Sequence, residues 1–234
     1  MNDEYITKKL RELAEDRGVI PIAGRERGSR MIGVEHDDSD WDAFLLFAQP
    51  AEEYATIGGY TDTVSKKYDD GNIDIHGWNV QKLAQLGLDS NPNAIEFLMS
   101  EKTYFNNLEG YYSRNILAEL EEDARANFNH MALYHHYLSL ARSNYEKYIT
   151  SGNDCTYNRQ FYVMRATMMA KHIRKEGTFP SLDVWSCIEQ TDSLSTDEES
   201  LLVDFSRKKS MGHLGEASNL VGMYLDRESD ADME

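Results

Sequence analysis

Glu26-Arg27-Gly28-Ser29-Arg30 and Asp40-Trp41-Asp42 combine residue types that handle phosphate and metal together, and residues 30–39 are all that separate Ser29 from Asp40. A glycine lets the backbone come close to a ligand, and the N–H groups beside it can cradle a phosphate. In a strand, residues two apart share a face, so Asp40 and Asp42 point the same way. Two carboxylates aimed at one spot make an oxygen-rich site suited to Mg²⁺ bridged to substrate phosphates. A solvated acidic loop is the plain alternative, since Asp37 and Asp38 stand next door. Arg27 and Arg30 can pair with phosphate oxygens, or instead with the nearby Glu26 or Glu35.

This pattern resembles the signature of the DNA polymerase β-like nucleotidyltransferase superfamily: Gly-Ser, a spacer of this size, then Asp-hydrophobic-Asp/Glu. Within it, the chain is similar to the nucleotidyltransferases associated with RNA-repair ligase pathways. Asn91-Pro92-Asn93-Ala94-Ile95-Glu96-Phe97-Leu98 is close to that family's Asn-Pro-x-x-x-Glu-x-Leu. Arg159 with Tyr162-Val163-Met164-Arg165 is a weaker third match, and Asn158 stands where the family shows a leading Lys. The resemblance spans roughly residues 19–215. It implies transfer of NMP from an NTP, with Mg²⁺ or Mn²⁺ as cofactor. RNA ends or RNA-repair intermediates are the implied acceptors, and RNA-ligase pathway proteins the implied partners. It also implies a third carboxylate from an adjacent strand. Asp74 is the candidate over Asp69 and Asp70, which lie in a turn. The implied catalytic and metal-holding set is therefore Asp40, Asp42 and Asp74. The nucleotide-binding set is Gly28, Ser29, Arg27, Arg30, Arg159 and Arg165.

The elements that must position these residues follow from periodicity. Residues 3–17 read as an amphipathic helix with Ile6, Leu10, Leu13 and Ala14 on one face. Residues 19–23 read as a strand that Pro21 makes doubtful at a central position. The Gly28-Ser29 turn opens a short helix. Residues 41–47 form the next strand, with Ala43, Leu45 and Phe47 opposite Asp42 and Phe44. Strands at 63–64 and 73–76 flank a turn at 69–72, with Ile73 and Ile75 on one face and Asp74 and His76 on the other. Asn79 caps a helix over 80–86, and residues 94–99 form another. Helical patterns then cover 114–150, 156–175, 181–190 and 197–225. Gly33 is read as a tight bend beside the site. The run Arg207-Lys208-Lys209 reads as a solvated helix face or a phosphate contact.

The expected class is α+β: a small mixed nucleotidyltransferase sheet flanked by helices, then a helical C-terminal half. The expected division is a catalytic core at 1–112, a helical region at 113–225 and a frayed acidic tail at 226–234. No run of about 18 apolar residues exists, so no membrane span is expected. Two cysteines and the absence of a signal-peptide pattern fit a reducing cytoplasm. The net charge of −17 argues against nucleic-acid binding over the whole surface and leaves room for a local basic groove. It fits a high-salt cell or ordinary solubility. The rival readings are nucleotidylation of a protein or small molecule, a non-catalytic nucleotide-binding regulatory module, and a partner-binding protein using its helical half.

Overall fold

The computed structural model describes residues 2–57, 59–108, 116–151, 155–213, 215 and 218–230. The expected 112/113 boundary and residues 231–234 lie outside them. The chain forms two compact units: Met1–Met31 with Ser39–Phe128, and Ile32–Asp38 with Asn129–Glu234.

The first unit opens with α1 (Asp3–Arg17). Asn2 caps it by accepting from the Tyr5 N–H, and Gly18 ends it at φ +64°, its N–H turned back to the Ala14 and Glu15 carbonyls. Then come β1 (Ile20–Arg27), α2 (Gly28–Met31), β2 (Trp41–Ala48), α3 (Ala51–Tyr54), β3 (Thr63–Tyr68), a 3₁₀ turn (Asp69–Gly71) and β4 (Ile73–Asn79). The unit closes with α4 (Val80–Leu88), α5 (Pro92–Met99), β5 (Thr103–Asn106) and α6 (Ile116–Asn127). Asn79 and Asn91 cap α4 and α5.

The five strands run in the order β3-β4-β2-β1-β5, with only β2 and β4 parallel. The alternation read from the sequence holds. Ala43, Leu45, Phe47, Ile73 and Ile75 join Ile6, Leu10 and Leu13 of α1 in a buried layer. Phe44 and Leu46 face the opposite way, onto Leu83, Phe97, Leu98 and Leu117. Each layer removes a continuous apolar face from water, which is what holds a sheet between helices.

Two expectations fail here. Pro21 lies on β1, an interior strand with neighbours on both sides. It is tolerated because it falls at the strand's start, where the register with β2 shifts, and Asn107 caps the frayed end by donating to the Pro21 and Ile22 carbonyls, both at 2.8 Å. β5 has no counterpart in the sequence reading.

The second unit holds α7 (His130–Asn144), which runs on into a π-helical stretch (Tyr145–Thr150), then α8 (Tyr157–Glu176), α9 (Val184–Gln190), α10 (Thr196–Ser210) and α11 (Gly222–Asp230). The helical pattern over 114–150 is two helices, because Asn129 starts a new one by accepting from the Ala132 N–H at 3.0 Å. The pattern over 197–225 also divides. α10 opens on a Ser195/Glu198 capping box and ends at Met211, beyond which Gly212 takes φ +71°. Residues 226–230 of the expected frayed tail are helical, and Glu228 is 4% exposed. Tyr134, Tyr137 and Phe161 are fully buried in this unit. Cys155 and Cys187 form no disulfide.

Candidate active site

The parallel pairing of β2 with β4 sets Asp42 directly beside Asp74. β1, antiparallel to β2, sets Arg27 on the other side of Asp42. Three strands therefore bring an arginine and two carboxylates into one row. The Gly28-Ser29 turn leaves β1 immediately after that row, and α2 begins there. Gly28 has φ +70°, and a Cβ at this position would collide with the Asp42 carboxylate. Glycine is required for both reasons: an L side chain is strained at that φ, and no room exists for one.

Asp42 is half-buried, and its carboxyl is pushed above the usual carboxylate range. Burial is the main cause; the charges of Asp74 and Asp40 add to it, while Arg27 and His76 oppose it. Asp40 is exposed. Asp74 keeps a fifth of its side chain in water and meets Lys67 at 3.1 Å and His76 at 3.3 Å. The structure thus brings Asp40, Asp42, Asp74, Arg27 and Gly28 together, and adds Lys67 and His76. The Lys67 contact depends on the register of β3 against β4, where Lys67 pairs with Asp74. A lysine on an edge strand carries no sequence signal of that pairing.

Arg27 donates to the Asn93 side chain at 3.3 Å, which joins the Asn-Pro segment to the Gly-Ser turn. A small cleft bounded by Glu26, Arg27, Met31, Phe44, Asn93, Glu96 and Phe97 lies there. Arg30 stacks on the Trp41 ring at 4.0 Å from its centroid and donates to the Ser39 carbonyl at 3.2 Å. Neither of its expected carboxylate partners holds it. Gly33 stands in the second unit, where its φ is +71° and a Cβ would collide with Asp183. Arg159 and Arg165 belong to the second unit too, and Arg165 is buried.

Sequence reading missed the supports of β1. Arg25 is 5% exposed and donates to the Phe97, Leu98 and Ser100 carbonyls at 3.1, 2.7 and 3.2 Å, with Glu121 as its ion-pair partner. It neutralises carbonyls at the C-terminal end of α5, a favoured place for a cation. Glu26, 2% exposed, accepts from the Tyr104 hydroxyl at 2.6 Å. Burial pushes its carboxyl up, against the pull of Tyr104 and Lys102.

A divalent cation fits the donor chemistry of this row. Hard carboxylate groups stand side by side on β2 and β4, and burial, with the charge of Asp74 adding to it, raises Asp42. Among the described residues, no three His, Cys, Asp or Glu side chains stand in a group able to hold a metal ion.

A family model described as "RNA repair pathway DNA polymerase beta family" matches residues 3–229. The chain belongs to the RNA repair pathway DNA polymerase beta family. Membership places it among the nucleotidyltransferases, a class of transferases. The uncharacterized protein YcgL of Bacillus subtilis (strain 168) is 30% identical over 180 residues, a match covering 77% of this chain and 66% of that protein, just under two thirds of its length. Spectinomycin adenyltransferase AAD(9) from Enterococcus faecialis, solved with ATP and spectinomycin, superposes at a TM-score of 0.51 with 11% identity, covering 98% of this chain and 97% of that one. That likeness is one of fold. A nucleotidyltransferase-like protein from Exiguobacterium sibiricum 255-15 gives a TM-score of 0.38 at 12% identity, over 97% of this chain and 75% of that one. No helix among the described residues is long and apolar enough to cross a membrane.

Proposed function

We propose that this member of the RNA repair pathway DNA polymerase beta family is a metal-dependent nucleotidyltransferase. It transfers NMP from an NTP to an RNA end or RNA-repair intermediate and releases pyrophosphate. The observation that carries the reading is the row Arg27–Asp42–Asp74 with Gly28 packed on Asp42. The family description supports RNA as acceptor.

In the reaction an acceptor hydroxyl oxygen bonds the α-phosphorus and gives its proton up to water. The α-phosphorus–oxygen bond to the β-phosphate breaks, and pyrophosphate leaves with the electron pair. Such chemistry needs positioning and charge neutralisation more than covalent help. Gly28 and Ser29 present N–H and hydroxyl donors to the leaving phosphates. Arg27 and Arg30 face the negative charge that builds there. Asp40, Asp42 and Asp74 would hold Mg²⁺ or Mn²⁺, which when bound offsets triphosphate charge and makes the acceptor hydroxyl more acidic.

Purified protein incubated with each α-³²P-labelled NTP, Mg²⁺ or Mn²⁺ and a mixed RNA pool should label RNA. An Asp40→Ala/Asp42→Ala variant should not. Label on the protein itself would move the acceptor to a polypeptide. Full labelling by the double variant would remove the site assignment.

A further inference from the structure

The second unit gathers cations onto tyrosine rings. Tyr148 has Lys147 at 4.7 Å and Arg159 at 4.0 Å from its ring centroid. Lys208 lies 4.0 Å from the Tyr157 centroid. Lys209 lies 4.9 Å from that of Tyr162 and donates to the Asn158 side chain at 2.7 Å. These contacts converge on residues 157–159, the first turn of α8, and Arg207 is exposed beside them at the end of α10. Five of the chain's 24 Lys and Arg meet here, in a protein of net charge −17. Lys147 is exposed and Lys208 keeps 29% of its side chain in water. Among the described residues of these turns the acids are Glu146 and Asp204, and Asp204 pairs with Lys208 at 2.7 Å.

A ring under a long cationic side chain holds it extended, so less conformational freedom is lost when it meets an anion. Several such cations, held on two neighbouring rings, suit a ligand whose negative charges recur along a flexible chain and whose flat groups can stack. A phosphodiester strand has both properties. The net charge of −17 makes a local cluster of cations necessary for a polyanion to bind at all.

We propose that Lys147 and Arg159 on Tyr148, Lys208 on Tyr157 and the exposed Arg207 beside them, around the start of α8, form a binding surface for single-stranded RNA. Lys209 is buried and serves as a positioning residue that fixes Asn158 and Tyr162 beneath it. This rests on the reading of the protein as an RNA-directed nucleotidyltransferase, but binding is measured separately from transfer.

The test is fluorescence anisotropy of the full chain with a labelled single-stranded RNA of about 12 nucleotides, between about 50 and 200 mM salt. Lys147→Ala/Arg207→Ala/Lys208→Ala should weaken binding at least tenfold and flatten the salt dependence by about two units of log–log slope, as loss of three phosphate contacts requires. Lys147→Arg/Lys208→Arg should bind as the parent does, and Asp42→Asn should also bind RNA normally. Parental affinity in the triple variant, absence of RNA binding by the parent at low salt, or equal binding of polyglutamate would each overturn the surface. RNA binding without any transfer to RNA would instead sink the proposed activity and leave the surface standing.

Discussion

Acids in the first unit's carboxylate row and acids on the second unit's helices stand in opposite surroundings. Asp42 and Asp74 are set side by side, and burial raises Asp42, with the charge of Asp74 adding to it. In the second unit, Glu198 receives Lys171 at 2.7 Å, and Glu228 receives Arg174 in a two-pronged contact at 2.7 and 3.1 Å. Glu228 keeps only 5% of its side chain in water, so its charge is matched within the fold. The row on β2 and β4 leaves negative charge partly unmatched, and that surplus is what a cation and a triphosphate would consume. The second unit's acids are buried against a single cation each, whereas Asp42 and Asp74 stand beside each other with Lys67, His76 and Arg27 around them.

The comparison breaks if Asp42 proves structural. Asp42→Asn should lower transfer by about 10²–10³-fold or more, while its melting temperature holds or rises because a repulsion has been removed. A fall in both would merge the two classes of acid. Arg174→Ala should do the reverse. It leaves Glu228 buried without its cation and should cost about 2 kcal/mol in chemical denaturation, below the range for a fully buried pair because Arg174 retains 23% of its side chain in water. An unchanged unfolding midpoint would show that α11 does not depend on this pair.

Gly28→Ala sharpens the contrast from the backbone side. Strain at positive φ and the collision with Asp42 should cost about 1–2 kcal/mol of stability and most of the activity, read by thermal melts and by nucleotide transfer. A fully active variant would show that the turn can relax away from Asp42.

The smallest effect concerns His172. Its ring bonds Thr191 and Thr178, both at 3.0 Å. Burial lowers its pKa, and Glu176 opposes this. The folded state therefore takes up a proton less readily than the unfolded one, and stability is lost as pH falls below about 6.5. Melting temperatures at about pH 7.5 and 5.5 should differ less in His172→Gln than in the parent. An equal drop in both would assign the acid sensitivity to other groups.

The placement of the candidate site residues on β1, β2 and β4 was the most legible part of the chain. The Gly28-Ser29 spacing to Asp40 and Asp42 is a local pattern, and the alternation of Ile73, Asp74 and Ile75 shows which face Asp74 takes. Asparagine caps at Asn79 and Asn91 were equally local. What could not be read depends on partners far along the chain. Arg25 and Glu26 look like solvent-facing residues until the carbonyls of Phe97, Leu98 and Ser100 and the hydroxyl of Tyr104 are brought to them. β5 is four residues long and lacks an apolar alternation of its own. Lys209 reads as one end of a solvated basic run, yet it is 6% exposed because Asn158 and Tyr162 cover it. The break at Phe128–Asn129 turns on one cap within a helical pattern.

Residues 32–38 leave the first unit between α2 and β2 and fold with the second. Their anchors are the Val184 N–H on the Ile32 carbonyl and the Trp185 ring N–H on the Gly33 carbonyl, the latter 152 residues further along. On a ribosome adding about 5–20 residues per second, that loop waits roughly 8–30 s for its partners. The stretch linking the Gly-Ser turn to Asp40 is therefore fastened late in biosynthesis, and a nascent chain halted before α9 would carry the Gly-Ser turn and the carboxylates with that stretch not yet tied down.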